Sequence, residues 1–442
     1  MQFNLNLDAF IKDHVTFRQE SLLKPDFEKY QTELQLRITN KAVLVIGGAG
    51  TIGSSYIKAI LKFKIRKLVV VDINENGLTE LVRDLRSSKE YIVPTDFTTY
   101  PVNFGDRVFE KIFIHHGPFE IVANFAAHKH VRSEKDSFSI EAMIENNVLR
   151  ARKLLNILLQ YPPEHFFCVS TDKAANPVNI MGASKKLMEE LIMAYSDKLP
   201  IKTARFANVA FSNGSLPLGF LERLQKKQPW SCPQGIRRFF VSPQESGELC
   251  LMASIMGESG DIFFPKLDEN RDMIPFDQIA LDLLNTLGLT PDICQSEDEA
   301  REKALSLTGA EVSPPLPLRS LSGAEVSPLP LSPSLPLRSL SGAEVPSSSY
   351  PIYFFPSDTS GEKSFEEFFT EKEILDNDSF INLGVVKNSK KRSIEEIDAI
   401  FDRLHDLFEN NAVTKASIVD VLKVYLPNFE HIETGKGLDS KM

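Results

Sequence analysis

Apolar residues follow two rhythms along this chain. Short unbroken runs, Ala42-Val43-Leu44-Val45-Ile46, Leu68-Val69-Val70-Val71, Ile121-Val122-Ala123-Asn124-Phe125 and His165-Phe166-Phe167-Cys168-Val169, have the length and composition of strands covered on both faces. Between them, residues 54–63, 77–86 and 140–160 place apolar side chains at helical spacing. Strands alternating with helices predict an α/β domain over residues 41–205, built on a parallel, doubly wound sheet.

The pattern changes on either side of this region. Residues 1–40 mix charge with spaced apolar positions (Phe10, Ile11, Val15, Phe17, Leu22, Leu23), which predicts an N-terminal helical extension. After Arg205 the regularity loosens, with turn chemistry at Ser212-Asn213-Gly214-Ser215, so residues 206–304 and 350–390 are expected to form a smaller α+β substrate lobe. Residues 305–349 are a low-complexity repeat: the sequence of 316–326 recurs at 335–345, with a partial copy at 309–312. Its prolines block helix and central strand, so a disordered surface insertion is expected. Helical spacing returns at Ile394, Ile397, Ile400, Phe401, Leu404, Leu407 and Phe408, predicting a helical tail over 391–442.

Composition narrows the class. The 442 residues are 42% hydrophobic and 25% charged, ordinary for a globular protein of more than one domain. Fifty Lys and Arg against 60 Asp and Glu leave a net charge of −10, which argues against a nucleic-acid partner. Cys168, Cys232, Cys250 and Cys294 have no C-x-x-C spacing, which argues against a zinc site and a disulfide framework and fits a reducing cytoplasm. No apolar stretch approaches the roughly 18 residues of a membrane span. Asp8, Lys12, Asp13 and His14 stand where a signal peptide needs an apolar core, so an unprocessed, soluble chain is expected.

Candidate chemistry begins where the first strand ends. Gly47-Gly48-Ala49-Gly50-Thr51-Ile52-Gly53 joins that strand to a helix, which marks the sheet as Rossmann-type. Gly47 permits the tight turn, Gly50 lets the backbone approach a pyrophosphate, and Gly53 allows helix and strand to pack closely. The helix N-terminus at Thr51 and Ile52 supplies N–H donors and positive dipole. Asp72, about 20 residues on, can accept both hydrogen bonds of an adenosine ribose, favouring NAD over NADP; its alternative role is to cap the next helix. Asn103 and Phe104 stand where an adenine edge is expected. Small residues at Ala126 and Ala127 let the chain pass under a cofactor. His128 and His130 lack a third metal ligand at suitable spacing, so no metal is expected.

The fifth strand of this reading ends in Ser170-Thr171-Asp172-Lys173-Ala174-Ala175-Asn176-Pro177, followed by Gly182 and Lys185. A hydroxyl, a carboxylate and an ammonium are thereby clustered at the carboxyl end of a parallel strand, where ligands bind in such sheets. The plainer alternative is that Asp172 and Lys173 only cap and solvate a loop. Together with the glycine turn and Ala126-Ala127-His128-Lys129-His130-Val131, this block resembles the extended short-chain dehydrogenase/reductases. Within them it is similar to the CapD-like polysaccharide-biosynthesis branch, the UDP-N-acetylglucosamine 4,6-dehydratases. Arg205-Phe206-Ala207-Asn208-Val209, Phe239-Phe240-Val241-Ser242-Pro243-Gln244-Glu245 and Gly361-Glu362-Lys363-Ser364-Phe365-Glu366-Glu367 extend the resemblance, which covers roughly residues 41–300 and 350–385. One departure stands out: the superfamily's Tyr-x-x-x-Lys keeps its lysine at Lys185 but has Met181 in the tyrosine place, and a thioether has no proton to exchange. Some members of the branch carry the same methionine.

The resemblance implies a redox-neutral elimination on a UDP-N-acetylhexosamine. Hydride leaves C4 to NAD, the C5 proton is removed, the C6 hydroxyl departs with acid assistance, and the hydride returns at C6 to give a 4-keto-6-deoxy sugar nucleotide. It implies that Lys185 binds the nicotinamide ribose and favours alkoxide formation, that Thr171 orients the C4 hydroxyl, that Asp172 is the acid at C6 and Lys173 the base at C5. With Met181 silent, the C4 proton goes to water, Asp172 or Lys173. Asn208, Asn213 and Ser215 are expected at the substrate diphosphate, with Lys129 and Arg205 lending positive charge, although Arg205 equally suits a structural ion pair. A 4-epimerase of the same fold and a non-catalytic nucleotide-sugar-binding scaffold are the alternatives, and homo-oligomers are common in the superfamily.

Overall fold

The computed structural model describes residues 5–130, 134–307, 349–356, 367–387, 391–409 and 413–432. The chain opens with α1 (Leu7–Phe10), which runs into a π turn at Ile11–Val15, and α2 (Lys24–Ile38). The alternating region follows as β1 (Ala42–Ile46), α3 (Thr51–Ile60), β2 (Lys67–Asp72), α4 (Glu75–Ser87), β3 (Asp96–Pro101), α5 (Arg107–His116) and β4 (Ile121–Asn124). It continues through α6 (Ser137–Ile144), α7 (Arg150–Gln160), β5 (His165–Val169), α8 (Ile180–Ala194) and β6 (Ile201–Ala204). Beyond it lie β7 (Asn208–Val209), α9 (Leu216–Gln225), β8 (Trp230–Gln234), β9 (Arg237–Val241), α10 (Pro243–Met256), β10 (Ile262–Pro265), β11 (Met273–Pro275), α11 (Phe276–Thr286), β12 (Thr290–Cys294) and α12 (Glu297–Ser306). The last elements are β13 (Ser349–Pro356), β14 (Ile374–Asp376), β15 (Leu383–Lys387), α13 (Ile394–Phe408) and α14 (Lys415–Tyr425).

Nine strands form the main sheet in the order β14-β15-β10-β6-β5-β4-β1-β2-β3. Strands β3 through β10 in that order run parallel, and β15 and β14 close the edge antiparallel. Every residue of β1, β4 and β5 is buried, as expected for strands covered by helices on both faces. Chain order reverses between β1 and β4, which opens a crevice at their carboxyl ends. The expected Rossmann-type α/β architecture is therefore present.

Three expectations need correcting in detail. Residues 206–304 and 350–390 divide between layers instead of forming one lobe: β10, β14 and β15 complete the main sheet, while β11-β9-β7 and β12-β13-β8 make two small sheets. Periodicity reports that a strand is buried and not which strand it pairs with, so this partition is invisible in sequence. The N-terminal extension also splits, with Phe10, Ile11 and Val15 entering the core of the small sheets and Leu23, Leu34 and Ile38 entering the main core. Finally, the helix expected over 140–160 is interrupted by a π turn at Glu145–Leu149, between α6 and α7. The repeat at 309–345 lies outside the described residues; the elements flanking it, α12 and β13, both belong to the small-sheet region.

Helix α10 lies directly on α3, the helix that begins at the glycine turn, because Gly247 presents no side chain: a Cβ there would collide with the Ser55 carbonyl. Gly247→Ala is accordingly expected to destabilise the protein by about 1–3 kcal/mol, read as a lowered denaturation midpoint. An unchanged midpoint would contradict this close packing.

Candidate active site

The glycine turn is built as its spacing requires. Gly47 has a φ of +77°, and a Cβ on it would lie 2.6 Å from the Ala126 amide nitrogen, so the exits of β1 and β4 touch backbone to backbone. A Cβ on Gly53 would strike the Gly47 carbonyl, which holds α3 against the turn. Gly50 differs: it has ordinary backbone angles, and the nearest atom to its missing Cβ is 3.5 Å away. Protein packing does not demand glycine there, whereas a pyrophosphate approaching the first turn of α3 does, since the N–H groups of that turn have no intrahelical acceptors. The residues present thus fit a dinucleotide.

Asp72 ends β2 and accepts from the Ala49 and Asn74 amides, both at 2.9 Å. Helix α4 is capped by Asn74 and not by Asp72, so the capping alternative falls away. Asn103 closes a local turn by accepting from the Gly105 amide at 2.8 Å. Phe104 is 3% exposed and packs edge-on to Phe109, so its ring serves the core and only its backbone can face an adenine. Ala126 and Ala127 lie half-buried at the exit of β4, the Ala126 amide donating to Asn124 Oδ1.

Across the crevice, Asn213 joins three elements. Its amide donates to Thr51 Oγ1 at 3.0 Å and its carbonyl accepts from Lys129 Nζ at 2.9 Å. This loop bears strain, because Phe211 is a buried non-glycine residue at φ +52°. Ser215 caps α9 by accepting from the Leu218 amide, bringing that helix N-terminus to the same loop, and Asn208 begins β7, paired with Phe240 of β9. Thr51, Lys129 and Asn213 are thereby brought together.

At the end of β5, Thr171 Oγ1 donates to Asp172 Oδ1 at 2.7 Å, and Lys173 Nζ lies 3.2 Å from the same oxygen. Asp172 is 5% exposed. Lys185, on α8, is buried and donates to the Val169 carbonyl at 3.1 Å, placing its ammonium at the same strand end; burial pushes its pKa down. The hydroxyl, carboxylate and two amines therefore converge on the carboxyl end of β5.

Two expected site residues are held in the protein interior. Met181 is 3% exposed and is part of the main hydrophobic core. Arg205 is fully buried, and its five donors are all taken: Glu189 and Glu373 each bind it bidentately, and the Phe368 carbonyl accepts the remaining bond. No donor remains for a diphosphate, so Arg205 is a structural ion-pair partner. Burial works to raise the pKa of Glu189, but the charges of Arg205 and Lys186 outweigh it and hold this carboxyl well below the usual range. Ser170 Oγ also donates to Glu189, which ties the network to the loop that follows β5. Among the described residues no His, Cys, Asp and Glu cluster could hold a metal, and the four cysteines are free and buried.

Sequence reasoning missed Asn147. Its side chain accepts from the His128 amide, donates to the His128 carbonyl and donates to Ser184 Oγ, locking the β4 exit to α8. It sits in the π turn, whose extra residue rotates it inward. The available signal was a pair of asparagines, 146 and 147, inside an otherwise apolar helical stripe.

Comparison with known proteins shows what the chain resembles as a whole. A family model described as polysaccharide biosynthesis protein matches residues 43–307. Among curated relatives, the chain is 32% identical over 57% of its length to an uncharacterized membrane protein of Methanocaldococcus jannaschii, spanning 74% of that protein. It is 29% identical over 51% of its length to the capsular polysaccharide biosynthesis protein CapD of Staphylococcus aureus, and 30% identical over 51% to the UDP-glucose 4-epimerase of Rickettsia typhi. It spans 38% and 66% of those two proteins. The X-ray structure of Pen from Bacillus thuringiensis superposes with a TM-score of 0.56 at 18% identity, over 88% of this chain and 98% of that one, a likeness of fold. Among the described residues no helix is long and apolar enough to cross a membrane.

The buried ion pair makes a definite forecast. Arg205→Met removes the bidentate partner of Glu189, leaving it only Lys186 and Ser170, and also unpairs Glu373, so it is expected to cost about 3–5 kcal/mol of stability near neutral pH. Because Glu189 titrates lower in the folded than the unfolded protein, the pair's stabilisation is complete above the ordinary glutamate pKa of about 4.5 and declines below it, so the deficit should shrink in acid. Denaturant titrations at two pH values check this; a variant of wild-type stability with weakened substrate binding would return Arg205 to the substrate.

Proposed function

The chain belongs to the polysaccharide biosynthesis protein family, and from that premise we propose that it is an NAD-dependent nucleotide-sugar 4,6-dehydratase acting on a UDP-N-acetylhexosamine, UDP-N-acetylglucosamine first among them. The observation that carries this reading is the hydrogen-bonded Thr171–Asp172–Lys173 cluster at the end of β5, with Lys185 at the same strand end. Oxidation at C4 alone needs a group to take one proton. An acid and a base set side by side supply what an elimination across C5 and C6 also requires.

The first turn of α3, with Gly50, Thr51 and Ile52, would hold the pyrophosphate of the dinucleotide, Asp72 the adenosine ribose and Lys185 the nicotinamide ribose. When bound, the dinucleotide supplies a hydride acceptor for C4 and a donor for C6. Thr171 accepts a hydrogen bond from the C4 hydroxyl and passes its own proton to Asp172, a route the 2.7 Å contact provides and Met181 cannot. Asp172 then holds that proton for the departing C6 oxygen, which leaves as water. Lys173 takes the C5 proton and returns it to C5 after C6 has been reduced, so that one water is lost and no net redox change occurs. Lys129 and the Asn213 loop lie where the diphosphate would pass.

A 4-epimerase is the second reading, favoured by the match to the Rickettsia typhi enzyme. Incubation with UDP-N-acetylglucosamine separates the two: the dehydratase gives a product lighter by one water, and the epimerase a product of unchanged mass. Asp172→Asn and Lys185→Met are each expected to lower dehydration by at least about 100-fold, with Asp172→Asn retaining bound NAD. Full dehydration by Asp172→Asn would refute the acid role.

A second check concerns the cofactor. Gly50→Ala adds a methyl 3.5 Å from the nearest atom, so it should cost no more than about 1 kcal/mol of stability, the N-cap exchange, while weakening NAD binding by at least about tenfold, read by dinucleotide titration. Unchanged affinity would remove the pyrophosphate from this turn.

A further inference from the structure

The residues of the proposed chemistry lie on two sides of one stretch of chain, Asp172 and Lys173 before it and Lys185 after it, so their relative placement depends on how the turn into α8 is held. Asn179 Oδ1 accepts from the Gly182 amide at 2.7 Å, and a Cβ on Gly182 would lie 2.7 Å from the Lys173 carbonyl oxygen, so the first turn of α8 rests directly on the catalytic loop. The other restraints come from distant parts of the chain. Glu134 Oε1 accepts from the Met181 amide at 2.9 Å, and the Ile432 amide, past the end of α14, donates to the Val178 carbonyl at 3.0 Å. Beside Ile432, His431 Nε2 lies 3.7 Å from Glu134 Oε2, with the two side chains 8% and 6% exposed. Among the described residues that buried nitrogen has no hydrogen-bond partner, and the chemistry above uses neither residue.

We propose that Glu134 and His431 are a positioning pair, through which the C-terminal segment clamps the first turn of α8 and so sets Lys185 against Asp172 and Lys173. A carboxylate at a helix N-terminus satisfies an orphan amide and meets the positive end of the dipole. Glu134 is not contiguous with α8, and the group standing 3.7 Å from its second oxygen is the His431 imidazole, which pairs with it when protonated. With Met181 committed to the core, the backbone of the superfamily's tyrosine position is gripped from outside the helix. The proposal rests on the reading that Asp172, Lys173 and Lys185 carry the chemistry.

The test uses the full chain with Glu134→Ala, Glu134→Gln and His431→Ala, measuring kcat and KM on UDP-N-acetylglucosamine, NAD content, and amide hydrogen exchange across residues 174–186. Glu134→Ala is expected to lower kcat about 10- to 100-fold, the cost of a small misplacement, with KM within about threefold, NAD retained and exchange across 178–185 accelerated. Glu134→Gln keeps an acceptor for the Met181 amide and should restore most of kcat, with His431→Ala falling between. Wild-type turnover and wild-type exchange in Glu134→Ala and His431→Ala would overturn the proposal; should Glu134→Ala fail to fold, the same result in His431→Ala overturns it. If the wild-type protein turns over no UDP-sugar, the functional reading fails alone, and the exchange comparison still decides whether the clamp exists.

Discussion

Everything at the crevice depends on one constraint: the exits of β1 and β4 must meet with no side chain between them. Gly47 meets it with left-handed backbone and a bare Cα against the Ala126 amide. That contact sets the start of α3, and with it Thr51, whose hydroxyl receives the Asn213 amide across the cleft. Lys129 reaches the same loop from the β4 side. A single backbone approach thus aligns the glycine turn, the β4 exit and the loop after β7 around one space.

The loop that follows β5 rests on a different kind of support. Beneath Ser170 lies a buried network of Glu189, Arg205 and Glu373 in which each charge is paired and the Arg205 donors are filled. Replacing such a network with apolar residues is often neutral or stabilising, so its presence is better explained by what it aligns than by what it adds to stability. It ties the end of β5, the middle of α8, the end of β6 and the segment at 368–373 to one point. Asn147 fastens the opposite side of α8 through Ser184.

The extensions outside the alternating region belong to this scaffold. The N-terminal extension divides its apolar residues between both cores, and Asp26 accepts from the Ile381 and Asn382 amides beside β15. Arg18 pairs with Glu245 in the capping box of α10, the helix that lies on α3. Helices α13 and α14 contribute Ile397, Ile400, Leu404, Ile418 and Leu422 to the main core, which carries the last described residues to the first turn of α8.

By itself, the sequence determined what depends on near neighbours. The buried runs of β1, β4 and β5, the glycine turn and the Thr171-Asp172-Lys173 block were legible because strand burial, turn geometry and adjacent side chains are local properties of the chain. Tertiary structure decided the rest. Arg205 follows β6 and Lys185 lies within α8, and only packing shows that the first is sealed among carboxylates while the second reaches the end of β5. The pairing of β10 and β15 with the main sheet, the burial of Phe104 and Met181, and the meeting of Glu134 with His431 were equally hidden. Each joins groups far apart in sequence, and a pattern of apolar and polar positions states that a residue is covered without stating by what.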